Sequence, residues 1–279
     1  MSEQHFGRCA LCGKETELTF EHIPPRSAFN SSPARPVSGD ALIGTFSEKQ
    51  RMPWDIDGLP YSNQQKGMGQ FSLCQQCNND TGTWYGNDYV DFARGVGHLM
   101  HKNNVQPGQM LHFGFKEVYP LRIVKQMLSM ICSINQPAME DPRLSALARF
   151  VLEKDAIGLD KGHYKVCLYL KTGALMKYCN FSVLLIKSKD GSGVEIIPLS
   201  EICAYPFGFI VYFDLPDGSE YIGCDITSFC DVSYDQKCNL EIALPIYETN
   251  NVFPLDYRTK GEIISCIEEN RKWIKEHGV

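Results

Sequence analysis

Four of the twelve cysteines stand in two tight pairs, Cys9-x-x-Cys12 and Cys74-x-x-Cys77. Two thiolates three positions apart on a tight turn can share one metal ion, and two such knuckles complete a tetrahedral zinc site. Gly13 follows the first pair, and Asn78 with Asn79 the second, which suits a turn at each. One pair alone would equally suit thiol–disulfide exchange; two pairs favour structural zinc. Between them lies Leu18-Thr19-Phe20-Glu21-His22-Ile23-Pro24-Pro25-Arg26, where a carboxylate and an imidazole are neighbours. A neutral histidine can take a proton from water at about pH 7. A carboxylate oxygen suits Mg²⁺ or Mn²⁺, which bind one or two protein oxygens alongside waters and phosphate. Together these are the needs of phosphodiester hydrolysis, an activated water and a cation beside the phosphate. The other eight cysteines show no comparable spacing. Cys224, Cys230 and Cys238 offer at most a weaker second cluster, and His98 with His101 read as solvated side chains.

The order of these features (knuckle, strand with an acid–histidine pair, loop, second knuckle, helix) resembles the HNH endonuclease family. The ββα-metal fold of that family is a treble clef held by zinc. The resemblance covers roughly residues 6–95, about a third of the chain. It implies a phosphodiester hydrolase in which His22 is the general base and Glu21 with Asn78 holds a catalytic Mg²⁺ or Mn²⁺. It favours DNA as the partner, while RNA would engage the same residues. Asn63 is matched to the family's middle asparagine, which pins the loop. Many relatives carry a final histidine four positions beyond Asn78, where this chain has Gly82; Asp80 is a carboxylate able to substitute as a ligand. Arg26 and Lys66, with Arg35, Lys49 and Arg51, are the candidate phosphate contacts. HNH units fused to other domains are common in restriction and antiphage systems, so an effector in bacterial defence is the expected setting. The competing reading is a non-catalytic zinc-finger module that binds nucleic acid or protein on the same scaffold.

Composition bounds these readings. The chain has 279 residues, 43% of them hydrophobic and 22% charged, which excludes a disordered or fibrous protein and allows one or two domains. Lys plus Arg number 27 against 33 acidic residues, a net charge of -6, which excludes a polycation that coats nucleic acid by charge alone. The first 108 residues hold nine basic and eleven acidic side chains, so any basic surface there has to be assembled by folding. The start of the chain lacks the apolar core of a signal peptide, and the apolar runs at 121–134 and 181–186 are too short to span a bilayer. A soluble cytoplasmic protein is expected, with no membrane partner.

The elements that must carry the site follow from pattern. Residues 30–70 are rich in turn formers and read as irregular. A helix is expected from the second knuckle to about Arg94, ended by Gly95 and Gly97. The NNVQPG segment at 103–108 is the expected linker between an HNH domain over 1–105 and a C-terminal domain over 106–279, which could serve as a sensor, a partner surface or an oligomerisation element. Beyond it the pattern gives a strand at 110–118 and a helix opened by Pro120. A second helix is capped by Asp141-Pro142. Strands follow at HYKVCLYLK, YCNFSVLLIK, FGFIVYF and LEIALPIY, with turns at 189–191 and 216–218, and a last helix covers 261–276. The whole is expected to be α+β: a ββα-metal unit followed by an α+β domain dominated by antiparallel sheet.

Overall fold

The first knuckle forms the turn of a hairpin in which β1 (Phe6–Arg8) and β2 (Glu15–His22) pair antiparallel. The computed structural model describes residues 4–49, 51–187 and 193–277. The long segment after β2 holds a helix, α1 (Gly39–Lys49), where the sequence reads as irregular. Only Leu42 among its described side chains is fully buried, too little apolar periodicity to register as a helix. Isolated bridges Ala34↔Gln64 and Val37↔Tyr61 close this segment on itself. The chain then returns in β3 (Gly69–Cys74), which pairs antiparallel with β2 to complete a three-stranded sheet.

The second knuckle leads from β3 into α2 (Gln75–Thr81). A π-helical turn over Gly82–Gly86 then passes directly into α3 (Asn87–Lys102). The helix therefore does not stop at Gly95 and Gly97. A Cβ at Gly95 would lie 2.6 Å from the Phe115 ring and one at Gly97 would lie 2.7 Å from that of Phe29, so both glycines admit rings against the helix rather than ending it.

The remainder contains β4 (Met110–Val118), α4 (Pro120–Ile134), α5 (Pro142–Leu152), β5 (Tyr164–Thr172), β6 (Lys177–Lys187), β7 (Val194–Ala204), β8 (Phe207–Phe213), β9 (Cys224–Asp225), β10 (Cys238–Glu248) and α6 (Lys260–His277). Its sheet runs β4-β10-β5-β8-β7-β6, with β9 against β5, and every pairing is antiparallel except β10 with β5. Helix and strand are nearly balanced, at 33% and 30%, so the class is mixed α+β with a large, mainly antiparallel sheet. The long strand missing from the sequence pattern is β7, interrupted by Pro198, and the two-residue β9 is missing as well. The ladder of β7 with β8 begins only at Leu199, so the absent proline N–H breaks no bond on that side. The turn expected at 189–191 lies outside the described residues. No helix among them is long and apolar enough to cross a membrane.

At the centre lies α4. Every residue of this helix but Arg122 is buried, as expected of a helix enclosed on all sides. It packs on β3, the π turn and α3 in one direction, and on α5, β6 and β7 in the other. Arg122 closes its outer end, its guanidinium between the rings of Tyr119 at 3.8 Å and Tyr234 at 4.1 Å. One cluster of buried side chains thus runs from Cys9, Leu18 and Leu73 through Tyr85, Tyr89 and Met127 to Val166 and Phe207. A fragment ending at residue 105 would expose the α4-facing sides of β3, the π turn and α3 to water. We expect such a fragment to show no cooperative thermal transition even with zinc present; a sharp calorimetric transition would prove the N-terminal part self-sufficient.

Candidate functional site

The sulfurs of Cys9, Cys12, Cys74 and Cys77 all lie within 4.8 Å of one another, the only such group of three or more potential ligands among the described residues. Cys224, Cys230 and Cys238 therefore form no second cluster. Backbone N–H groups already point at the sulfurs: Cys74 N donates to Cys9 Sγ at 3.3 Å and Cys77 N to Cys74 Sγ at 3.4 Å. The Cys77 thiol, hydrogen-bonded to Cys9, holds the Cys9 thiol down at about 4, while the same contact pushes Cys77 upward. Four converging sulfurs, one already favoured as thiolate, fit a structural Zn²⁺.

Thr19 and Asn78 meet beside this cluster. The Thr19 hydroxyl donates to the Leu73 carbonyl at 3.0 Å and accepts from Asn78 Nδ2 at 2.9 Å. Because the hydroxyl proton is committed, its oxygen must face the amide nitrogen, and the orientation of the Asn78 carboxamide follows. Its Oδ1 keeps no protein partner among the described residues and belongs to a side chain that lines a cleft of about 670 Å³. Glu21, His22 and Arg26 line the same cleft. Strict alternation would send Glu21 and His22 to opposite faces of β2. The β2–β3 register skips Ser72 between Thr19 and Phe20, and both Glu21 and His22 line the cleft at the end of β2.

The same irregularity turns Ser72 toward Glu21. Ser72 Oγ donates to Glu21 Oε2 at 3.3 Å, and Ser133 Oγ from α4 donates to the same oxygen. Oε1 has no partner among the described residues. Only 6% exposed, the carboxyl is pushed up to about 7 by burial, against the opposing pull of the two serines. On His22, Nε2–H donates to the Lys66 carbonyl at 3.1 Å. A carbonyl can only accept, so in the neutral ring Nδ1 carries the free lone pair.

The loop that holds this carbonyl is pinned by Asn30, not by Asn63. Asn30 Nδ2 donates to the carbonyls of Pro24 and Met68, both at 2.7 Å, and its Oδ1 accepts from Met68 N at 2.7 Å. Asn63 is exposed and accepts only from Gln65 within its own turn. Between Lys66 and Met68, Gly67 has φ of +104°, and a Cβ there would fall 2.0 Å from the Asn30 carbonyl. Asp80 is not brought to the cleft: both its oxygens accept from Gln76 Nε2 at 2.8 Å on the helix surface. The exposed Lys66 side chain does not line the cleft either, and the visible part of Lys66 in the site is its carbonyl. Arg35 lies over the Tyr61 ring and Arg51 donates to the Asp57 carbonyl, so both brace the loop; the Lys49 side chain lies outside the described residues.

Several lining residues escape the sequence reading. The far wall is one face of the continuous helix: Asn78, Gly82, Asn87, Asp91 and Arg94. Their spacing of three to five is a signal that a helix drawn through the glycines would have offered. Arg94 Nε donates to the Ser27 carbonyl at 2.9 Å, which steers its guanidinium toward the segment after His22. Opposite, Gln126 comes from α4, more than forty positions downstream of Asn78, and no local pattern marks it. The cleft balances Glu21 and Asp91 against Arg26 and Arg94. It can hold a cation on carboxylate and amide oxygens and an anion on guanidinium groups. The oxygen donors Glu21 Oε1 and Asn78 Oδ1 fit a hard divalent cation.

No family model, no curated protein and no solved structure matches this chain.

Two outcomes follow from this geometry. The purified protein is expected to carry about one Zn²⁺ per chain, and Cys77→Ser to lose it and melt at lower temperature; metal analysis that finds no zinc in a wild type of unaltered melting would refute this. For Glu21, the unfolded carboxyl releases its proton near the ordinary 4.5 while the folded one holds it to about 7. Its contribution to stability is therefore fully present below the unfolded value and is lost as pH rises through about 7. In metal-free protein, thermal denaturation should show this loss, and Glu21→Gln should flatten it. Added Mn²⁺, which favours the carboxylate, should raise the melting temperature of the wild type more at about pH 8 than at about pH 5.

Proposed function

We propose that the N-terminal part is an HNH-type, ββα-metal endonuclease unit and that the protein is a metal-dependent hydrolase of DNA phosphodiester bonds. The observation that carries this reading is the convergence of Glu21, His22 and Asn78 on one cleft beside the four-cysteine cluster, each with its orientation set by a separate hydrogen bond. A zinc module that only binds has no use for a histidine whose free nitrogen is fixed as Nδ1, or for an asparagine whose oxygen is kept open.

The chemistry divides among these side chains. Arg26 and Arg94 meet the phosphate of the bound strand. His22 Nδ1 takes a proton from a water whose oxygen bonds to phosphorus, while Nε2–H stays on the Lys66 carbonyl and keeps the ring from turning. The P–O3′ bond breaks, its electrons leave with the 3′ oxygen, and solvent protonates that oxygen. Glu21 and Asn78 would hold a divalent cation, which would supply electrostatic stabilisation of the charge that develops at the phosphorus centre and leaving oxygen. DNA as the substrate is supported by the family resemblance alone.

The test is incubation of supercoiled plasmid with the full chain in Mg²⁺ or Mn²⁺, with His22→Ala purified in parallel. Removing the base should slow cleavage by roughly 10²–10⁴-fold. Equal cleavage by both proteins would sink the role of His22. Binding of DNA without cleavage, unchanged by His22→Ala, would establish the zinc-finger module instead.

A further inference from the structure

Of the four buried polar side chains of α4, two have their partners in the protein. Lys125 Nζ donates to the carbonyls of Glu153 at 2.6 Å and Lys154 at 3.1 Å, and Ser133 donates to Glu21. Ser129 Oγ lacks a partner but does not line the cleft. Gln126 is different. It is 3% exposed, it lines the cleft, its Oε1 is buried with no hydrogen-bond partner, and its Nε2 has none among the described residues. Burial of a carboxamide oxygen without a partner is costly, and native proteins avoid it unless something outside the protein completes the bond; the Nε2 donor beside it is equally unpartnered among the described residues.

The surroundings define that something. Gln126 faces the π turn, where a Cβ on Gly86 would lie 3.8 Å from Oε1, and Gly82 has nothing within 4 Å of its Cβ position. Two glycines on the cleft face leave the helix bare of side chains next to the carboxamide. Gln126 sits at the Gly86–Asn87 end of the cleft, two helical turns along from Asn78, while Ser133, two turns along α4, touches Glu21. The carboxamide is thus displaced from the proposed reaction centre by roughly 10–12 Å at 1.5 Å of helix rise per residue, about three base steps of 3.4 Å along a strand. A phosphate could satisfy only its N–H groups and a cation only its oxygen. A group with a donor and an acceptor side by side satisfies both, and in nucleic acid that is the edge of a base.

We propose that Gln126 is a specificity-determining residue: its carboxamide hydrogen-bonds one base of the bound strand about three steps from the scissile phosphate, with the bare face of the π turn admitting that base. This rests on the nuclease reading above. It also gives the C-terminal part of the chain a direct place in substrate recognition.

The experiment uses the full chain with Mn²⁺ and a fluorescein-labelled DNA duplex carrying a randomised segment. Cleaved ends are sequenced and binding is followed by fluorescence anisotropy, for wild type, His22→Ala, Gln126→Leu and Gln126→Glu. Zinc content and melting temperature confirm that each variant is folded. For Gln126→Leu we expect roughly tenfold weaker binding and a roughly tenfold flatter base preference at one position about three steps from the cut. Gln126→Glu keeps the shape and the acceptor but loses the donor, so its preference should shift toward a base that donates, as cytosine does through N4. This second variant carries the test if the leucine variant does not fold. Cleavage that depends on His22 while affinity and base preference are the same in wild type and both Gln126 variants overturns the proposal and leaves the nuclease reading intact. A wild type that neither binds nor cuts the duplex overturns both.

Discussion

The convergence of four sulfurs within 4.8 Å decides where the chain's second knuckle must sit, and most of the site follows from that. Cys9 and Cys12 belong to the β1–β2 turn, whereas Cys74 and Cys77 belong to the junction of β3 and α2. Tying the two together lays β3 along β2 and starts the helix beside Thr19, which is what brings Asn78 Nδ2 to the Thr19 hydroxyl. The Ala10 N–H also donates to the Ser72 carbonyl at 2.9 Å, so the first knuckle holds the very residue that turns its hydroxyl to Glu21. A constraint of sulfur chemistry is thereby converted into the position of three oxygen- and nitrogen-bearing side chains.

The second constraint is burial. Glu21 lies where water is scarce, and a carboxyl in such a place needs hydrogen-bond donors, a proton or a cation. Ser72 and Ser133 supply the first, and they approach from different parts of the fold, one from the small sheet and one from α4. The C-terminal region reaches the site at a further point, since the Tyr178 hydroxyl of β6 donates to the carbonyl of Ile23, immediately after His22. A continuous core and these bonds make α4 and β6 part of the scaffold around the cleft. Motion of α4 would be felt at Glu21 directly.

Some of this could be read from the residues alone. The paired cysteines carry their geometry in their spacing, because a turn of fixed length sets the distance between two sulfurs. Pro120 and Asp141-Pro142 mark helix starts through backbone chemistry, and Asp141 indeed accepts from Arg143 N at 2.9 Å. The β-branched and aromatic runs of β5, β8 and β10 likewise speak for themselves. Gly95 and Gly97 misled in the other direction. Their absent side chains look like helix breakers locally, but they make room for Phe115 and Phe29, residues that no local window contains.

The sequence by itself determined the four cysteines that can hold a metal ion, the acid–histidine pair, the α+β class and the strand-rich character of the second half. These rest on short-range rules, in which bond geometry and periodicity act over a few residues. Only the tertiary structure decided that Asn30 rather than Asn63 pins the loop, that Asp80 faces Gln76 instead of the cleft, and that Gln126 and Ser133 belong to the site at all. Each depends on which polar atom finds a partner once distant segments are packed together. That is settled by the burial of the whole chain and leaves no mark on its neighbours in sequence.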